Sequence, residues 1–487
     1  MHYITGQDRQ QAQFFTKLDD LVSNHHYVRL IDLISDKFVS DNPVSFDAKG
    51  SSIVGRKAYH PAVLLKLYIY GYLNSISSSR KLERECHRNL ELMWLMNQLA
   101  PDHKTIANFR RENGEAIQQS VLMFNRWLQQ AGYIKGDTIS IDGSRIRANA
   151  SHSYDIESIA KKLVQAEAQL TEYMERVALT DQTEAEQEQL EIEKQRLEKL
   201  VSDLHQQVQE LEQKKVLLRE SGAKRLSPTD PEARIMKSRQ GKHFCYNVQV
   251  AVDEQHKLIV CNQVRSEEND KGLLTPVVEE VKKCLSKSPK EVLADAGYYQ
   301  LNQLEKLEGD NVECFVAING NQQQVKEEQH GITFKFDEQE NVYRCSQDQL
   351  LVPHHGVKKD TRRGTEAQGY KGINCQPCAI KSLCTTAKEA RTVYRFSNQE
   401  WRDVYHSKMK SELGVSKLRL RGMLSEHPFG TLKYWMGHTP ILLRGKRKVQ
   451  IELNLYTIAY NLKRMINILS FEQMKELIER SKRIAMA

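Results

Sequence analysis

Hydrophobic residues in the first quarter of the chain recur at three- and four-residue spacing, which predicts helix. The run HPAVLLKLYIYGYLNSISSSRKLERECHRNLELMWLMNQ carries this pattern, broken at Gly71 and at Ser75–Ser79. Pro61 stands where a first helical turn would begin. After Pro101 a turn and a short helix bearing Arg110 and Arg111 suit a helix-turn-helix reader, and a plain bundle with a wet basic face suits them as well. The period then changes. In Thr138-Ile139-Ser140-Ile141-Asp142 apolar and polar residues alternate, which predicts a strand with one buried face, ended by Gly143.

Between 155 and 222 the period becomes seven. Leu190, Leu197, Leu204, Leu211 and Leu218 form one series, and Ile156, Leu163, Leu170 and Val177 an earlier one. The polar stretch Thr180–Glu184 separates them, so the segment reads as an inserted antiparallel coiled-coil hairpin, or as paired arms in a dimer. Alternation returns at Val248, Val250 and Val252, and Leu258-Ile259-Val260 completes a hairpin. Asn247 and Gln249 interleave with these valines on the opposite face, which suits an approach to the active site and suits edge-of-sheet hydrogen bonds better. A helix fits 271–286. Glu291–Ala294 is a short buried strand ending in Asp295, with a turn at Ala296-Gly297. Residues 315–400 look irregular, and 401–480 look helical.

Composition narrows the class without deciding it. The 487 residues are 40% hydrophobic and 28% charged, as in ordinary globular proteins with room for several domains. No run reaches the ~20 apolar residues of a membrane helix, and the N-terminus lacks a signal-peptide pattern, so no membrane partner and a cytoplasmic location are expected. Lys and Arg number 71 against 63 acidic residues, for a net charge of +8. The basic residues concentrate at 76–111 and 402–447, which favours a polyanion partner on local surfaces. Within the second stretch, Arg444-Gly445-Lys446-Arg447-Lys448 is placed for phosphate contacts, with a solvated loop as the plainer reading.

Chemistry-bearing residues fall into two sets. Asp142 and Asp295 each end a predicted strand beside a turn, where a carboxylate is held rigidly yet faces a cleft. Two such groups on adjacent strands can hold Mg²⁺, and two metal ions ~4 Å apart can serve phosphodiester chemistry. Glu426, in LSEHPFGTLK, is the candidate third carboxylate, with Lys433 two helical turns on. Pro428 places Glu426 at the start of its helix, because proline is tolerated mainly in a first turn. Tyr434 and Trp435 suit stacking on an exposed base, and also suit a core. The second set is Cys345, Cys375, Cys378 and Cys384, which fits a structural Zn²⁺, with a 4Fe–4S cluster or reduced thiols as alternatives.

Four ordered blocks resemble the insertion-sequence DDE transposases, in particular the group called insertion-sequence family eleven-eighty-two. They are GRKAYHPAVLLKLYIYGYLNSISSSRKLE…PDHKTIANFRR, ISIDGSRIRANAS, EVLADAGYY and SEHPFGTLKYWMG…LLRGKRKVQIELNLYTIAYNLKRMINIL, spanning residues 55–470. The resemblance places the catalytic acids on Asp142, Asp295 and Glu426 and the associated lysine on Lys433. One departure concerns the Tyr-x2-Arg-x3-Glu-x6-Lys signature: its Arg position is Gly422, with Arg421 adjacent, and its Tyr position is Arg419.

The resemblance implies an α/β, multi-domain chain with a ribonuclease-H-like mixed sheet and helices on both faces. Its parts would be a helical DNA-binding domain (1–130), catalytic core (131–154, 223–314, 401–487), coiled-coil insertion (155–222) and cysteine-bearing insertion (315–400). It further implies two Mg²⁺, which Mn²⁺ would replace, and a homodimer or higher oligomer on double-stranded DNA, at transposon ends and target. DNA contacts are expected at Lys433, Arg421, Arg110, Arg111, Lys446 and Arg447. A DNA-binding protein that has lost catalysis, and a metal-dependent nuclease without strand transfer, are the competing readings.

Overall fold

The computed structural model describes residues 17–43, 45–46, 58–151, 153–180, 187–238, 241–318, 329–354, 358–360, 365–431 and 441–481. The chain opens with helices α1 (Tyr27–Asp41), α2 (Pro61–Leu73), α3 (Ser79–Cys86), α4 (Leu90–Leu95), α5 (His103–Glu112) and α6 (Gly114–Gln130). Pro61 is the first residue of α2, where its missing N–H costs nothing. Asp102 caps α5, accepting the N–H groups of Lys104 and Thr105 at 2.9 and 3.0 Å.

The main sheet has six strands: β1 (Thr138–Arg147), β2 (Arg234–Ser238), β3 (Gly241–Asp253), β4 (Ile259–Arg265), β5 (Glu291–Ala294) and β6 (Glu313–Val316). Their order is β2-β3-β1-β5-β6, with β4 also on β3. Strand β1 runs antiparallel to β3 and parallel to β5, and β5 runs parallel to β6. The expected hairpin at 248–260 is β3–β4, turned at Lys257, whose φ is +58°.

The strand at 138 does not stop at Gly143. It continues to Arg147, with unbroken pairing from Ile139↔Asp253 to Arg147↔Cys245. Glycine is there for space. A β-carbon at Gly143 would lie 2.5 Å from both Asp270 Oδ1 and Gln249 Nε2.

One core joins most of these elements. It takes in Ile31, Phe38, Leu65, Tyr68 and Trp127 from the N-terminal helices, Ile139, Ile141, Val250 and Leu293 from the sheet, and Leu455 and Ile458 near the C-terminus. The last two belong to α14 (Lys446–Ile468), which packs on α2, α6 and β4 and is buried almost all round from Val449 to Leu462. Buried amides stitch that junction. Asn461 donates to Ile259 O and accepts from Ile259 N, both at 2.9 Å, and Asn125 donates to Val260 O at 2.7 Å.

Helix α7 (Ile156–Thr180) and α8 (Gln187–Ser221) form the arm. Ile159 and Leu163, early in α7, pack with Leu211 and Leu218, late in α8, so the two helices run antiparallel. Leu197 and Leu204 of the heptad series are also buried. The side chains of Val177 and Leu190 lie outside the described residues. Beyond β4 come α9 (Leu274–Leu285) and α10 (Leu301–Gly309).

The stretch 315–400, expected to be irregular, holds a second six-stranded sheet. Its strands are β7 (Phe334–Asp337), β8 (Val342–Cys345), β9 (Leu350–Pro353), β10 (Lys358–Asp360), β11 (Thr365–Gly372) and β12 (Thr392–Phe396), with the short α11 (Lys381–Cys384) between the last two. Most of these strands are very short and only partly buried, so no clear apolar alternation marks them in the sequence. Helices α12 (Gln399–Lys410), α13 (Glu412–Gly430), α14 and α15 (Phe471–Arg480) follow. Among the described residues, no helix is long and apolar enough to cross a membrane.

Candidate functional site

The site grows from the place where β1 outruns β5. Pairing between them ends at Ile141↔Ala294, so Asp142 and Asp295 are the next residue on each of two parallel strands. Asp295 leaves the strand and caps a short 3₁₀ turn, accepting the Gly297 N–H at 2.8 Å. The Gly143 N–H lies 2.8 Å from Asp142 Oδ1. Burial, and after it the Asp295 carboxylate, push the Asp142 carboxyl up to about 6, while Arg421 and the Ser425 hydroxyl pull the other way.

Arg421 and Ser425 come from α13, one helical turn apart. This helix packs across β1, β3, β5 and β6. Glu426 follows Ser425 and is solvent-exposed, with no charge partner among those acting most strongly on Asp142. It does not start its helix. The helix begins at Glu412, and Pro428 sits inside it near the Gly430 end, where it leaves the Leu424 carbonyl without its usual helical N–H. Lys433, Tyr434 and Trp435 lie outside the described residues.

Asp270, in the polar loop between β4 and α9, is a carboxylate that sequence patterning passed over. Its Oδ1 accepts from Asn247 Nδ2 at 2.9 Å and from Gln249 Nε2 at 2.8 Å. Its Oδ2 would lie 3.2 Å from a β-carbon at Gly297, and Asp295 Oδ1 2.9 Å from the same point. Asp270 and Asp295 therefore both present carboxylate oxygens beside Gly297. Asn247 and Gln249 are not making edge-of-sheet bonds, because β3 has neighbours on both sides and both amides are buried.

Gln249 lies opposite Gly143 in register, on the face away from Asp142. Tyr298 donates its hydroxyl to Gln249 Oε1. Burial, then Asp270, Asp142 and Asp295, push that phenol well above its usual range, so it stays a donor. The signal available beforehand was the pair of amides within an otherwise apolar strand, a costly arrangement unless a partner waits.

The basic residues separate by burial. Arg110 is a correction: it is 4% exposed, donates to the Tyr72 hydroxyl at 3.1 Å and stacks over Tyr68 at 5.3 Å. A guanidinium committed to those two rings braces the helices and cannot also reach a phosphate. Its place beside Ile106 and Phe109 on one face of α5 explains its burial. Arg111 is exposed and pairs with Glu112. Lys446 pairs with Glu232 at 3.7 Å, and Arg447, almost fully exposed, with Glu115 at 3.6 Å. Such exposed pairs are weak and exchange readily for a polyanion.

All four cysteines of the second set line one cavity in the second sheet. Among the described residues, no group of three His, Cys, Asp or Glu side chains is already drawn together tightly enough to hold a metal ion. The carboxylate chemistry nevertheless suits a divalent cation at Asp142 and Asp295. Two oxygen-ligand groups repel each other across a partly buried gap, and a cation there would relieve the repulsion.

Comparison with known proteins now adds to the geometry. Residues 16–112 match a family model described as a transposase domain, and residues 344–466 match one described as a transposase DDE domain. The second match spans Arg421, Glu426 and the four cysteines, while Asp142 and Asp295 fall outside both. No curated protein matches the chain. Among solved structures, a cryo-EM piggyBac transposase synaptic complex with hairpin DNA aligns at 10% identity and a TM-score of 0.26, covering 94% of this chain and 85% of that one. The chain thus matches a transposase-domain model over residues 16–112 and a transposase DDE-domain model over residues 344–466.

Proposed function

We propose that this chain binds the terminal inverted repeats of its insertion sequence, cleaves DNA there in a metal-dependent reaction and transfers the strand to target DNA. The observation that carries the reading is the junction of Asp142 and Asp295, from strands about 150 residues apart in sequence, as electrostatically coupled neighbours. The sheet supports it. Its core order β4-β3-β1-β5-β6, with the first three strands antiparallel and the last two parallel to β1, supports a ribonuclease-H-like core. Within the DDE transposases, the four sequence blocks favour the group called family eleven-eighty-two.

Two Mg²⁺ ions, or Mn²⁺ in their place, would be held by Asp142, Asp295 and Glu426, and would activate the attacking oxygen and steady the leaving one. The chain's own residues do the positioning. Asn247 and Gln249 donate to Asp270, and Tyr298 donates to Gln249, which holds the Asp270 carboxylate beside the turn that carries Asp295. Arg421 offers positive charge on the Asp142 side. Glu426 shares α13 with Arg421 and Ser425 but points about 100° round the helix from Ser425, so that end of the helix would have to turn to bring it to the aspartates. Arg111, Lys433, Lys446 and Arg447 would contact phosphates, and the arm would serve assembly of a dimer or larger complex.

The test uses purified protein, Mg²⁺ and DNA carrying the repeats that flank the coding region. Nicked ends followed by joined products are expected from the wild type, and neither from Asp142→Asn or Asp295→Asn. Glu426→Gln and Asp270→Asn separate two roles. If Glu426 is the third ligand, Glu426→Gln abolishes cleavage and Asp270→Asn only slows it, roughly 10–100-fold as for a supporting group. The reverse pattern would move the third ligand to Asp270. Cleavage surviving in Asp142→Asn would remove the proposed site altogether.

A further inference from the structure

Cys345 and, thirty residues later, the cluster Cys375, Cys378 and Cys384 meet in the second sheet. Cys345 closes β8, Cys375 and Cys378 lie in the turn after β11, and Cys384 ends α11. They line a single cavity of about 30 Å³, together with Ile332, Leu351 and Ile380. The other five cysteines are buried elsewhere as small apolar side chains, and these four are only partly buried.

Three details show that the cavity is built around sulfur. The Gln349 N–H donates to Cys345 Sγ at 3.4 Å, the kind of bond that steadies a thiolate. A β-carbon at Gly372 would collide with the Cys375 sulfur, so the β11 backbone is drawn in beneath it. Lys381 and Arg391 line the same space and supply positive charge where thiolates would gather.

The surrounding fold needs such a clamp. The second sheet has six strands, yet among the described residues its own core is Tyr343, Leu351 and Tyr370, with a few partly buried neighbours. So little apolar burial does not hold six short strands unaided, and small folds of that kind are commonly stapled by a metal or a disulfide.

We propose that Cys345, Cys375, Cys378 and Cys384 form a structural zinc site that ties the β8–β9 turn to the β11–α11 segment. On loading, each thiol releases its proton to solvent and four Zn–S bonds form, which draws the sulfurs inward from their present spacing. Four protein ligands close the coordination shell, so the ion holds structure and takes no part in cleavage. This inference stands independently of the carboxylate site.

The experiment measures metal content of the full chain, purified without chelator, by mass spectrometry. One zinc per chain and a colourless protein are expected. The double variant Cys378→Ser/Cys384→Ser should lose the zinc, and Cys86→Ala, in the main core, should keep it. If the double variant does not fold, the wild type is titrated with a mercurial thiol reagent, and zinc should leave as four thiols react. Cobalt exchanged into the wild type should show the visible bands of a tetrahedral thiolate site. Zinc well under one per chain after reconstitution, zinc retained by the soluble double variant, zinc released without reaction of these thiols, or a brown protein holding iron and sulfide would overturn the proposal.

Discussion

Among the described residues the chain carries two sheets of six strands each, and they are held in opposite ways. The first sits inside a large continuous core that also takes in the N-terminal helices and α14. With so much apolar burial, it can keep Asp142, Asn247, Gln249 and Asp253 partly or fully dry, each served by hydrogen bonds. Among the described residues, the second sheet gathers Tyr343, Leu351 and Tyr370 into a core of its own, and four cysteines line a small cavity beside it. Surplus hydrophobic stabilisation in one region supports strained polar chemistry, and its shortage in the other calls for a covalent or metal clamp.

The largest expected effect lies in the first sheet. Asp142→Asn should remove cleavage while leaving binding to the DNA ends, as gel shift and cleavage assays on the same protein would show. Its effect on stability has the opposite sign. The Asp142 carboxyl titrates at about 6 in the fold, above its ordinary value of 3.8. The protonated form is thus favoured on folding. Its contribution is full below about pH 4 and is lost as pH rises through about 6, a cost of up to about 3 kcal/mol in metal-free protein. Asp142→Asn should therefore melt higher than the wild type at pH 7.5 without metal, and the two should converge near pH 4. A variant that melts lower at neutral pH would show that the carboxylate is supported better than its surroundings indicate.

Core truncations sharpen the contrast between the sheets. Leu293→Ala, in β5, should cost about 2–5 kcal/mol of global stability by denaturant titration. Leu351→Ala, in β9, should leave the global midpoint nearly unchanged and accelerate amide exchange only across 334–396. Equal global losses would mean that the second sheet unfolds together with the first.

The two arginines of opposite burial give smaller and opposing effects. Arg110→Ala should destabilise the helices by about 2–3 kcal/mol, because the Tyr72 hydroxyl loses its charged partner and Tyr68 its cation, and it should leave the salt dependence of DNA binding alone. Arg447→Ala should change stability by less than about 0.5 kcal/mol and lower the salt slope of binding by about 1. Interchanged results would place the DNA on the wrong face. The least effect on activity is expected from Leu204→Asp, which should loosen the α7–α8 pairing and reduce the assembled mass while single-end binding persists. An unchanged mass would limit the arm to an internal hairpin.

The strands bearing Asp142 and Asp295 could be read in advance because Ile139 and Ile141 alternate and Glu291–Ala294 is a short apolar run before a turn. Their pairing could not, since parallel partners leave no mark in local spacing. Asp270 escaped notice because SEENDKG has the composition of a solvated loop, and only the buried amides of β3 hinted that something polar faced them. The second sheet was hidden by strands mostly of three to five residues, too short for a period to establish itself. Arg110 looked like a surface base beside Arg111, although its four-residue offset from Ile106 already placed it on the inner face of the helix.

The central claim, that Asp142 and Asp295 jointly hold a divalent ion, is tested most directly by letting the ion mark its own position. Fe²⁺ substituted for Mg²⁺, with ascorbate, cuts the polypeptide next to wherever it binds. Cuts are expected near residues 142 and 295, suppressed by excess Mg²⁺ and absent in Asp142→Asn. Cuts confined to other parts of the chain, or cuts that Mg²⁺ and Asp142→Asn leave untouched, would contradict it.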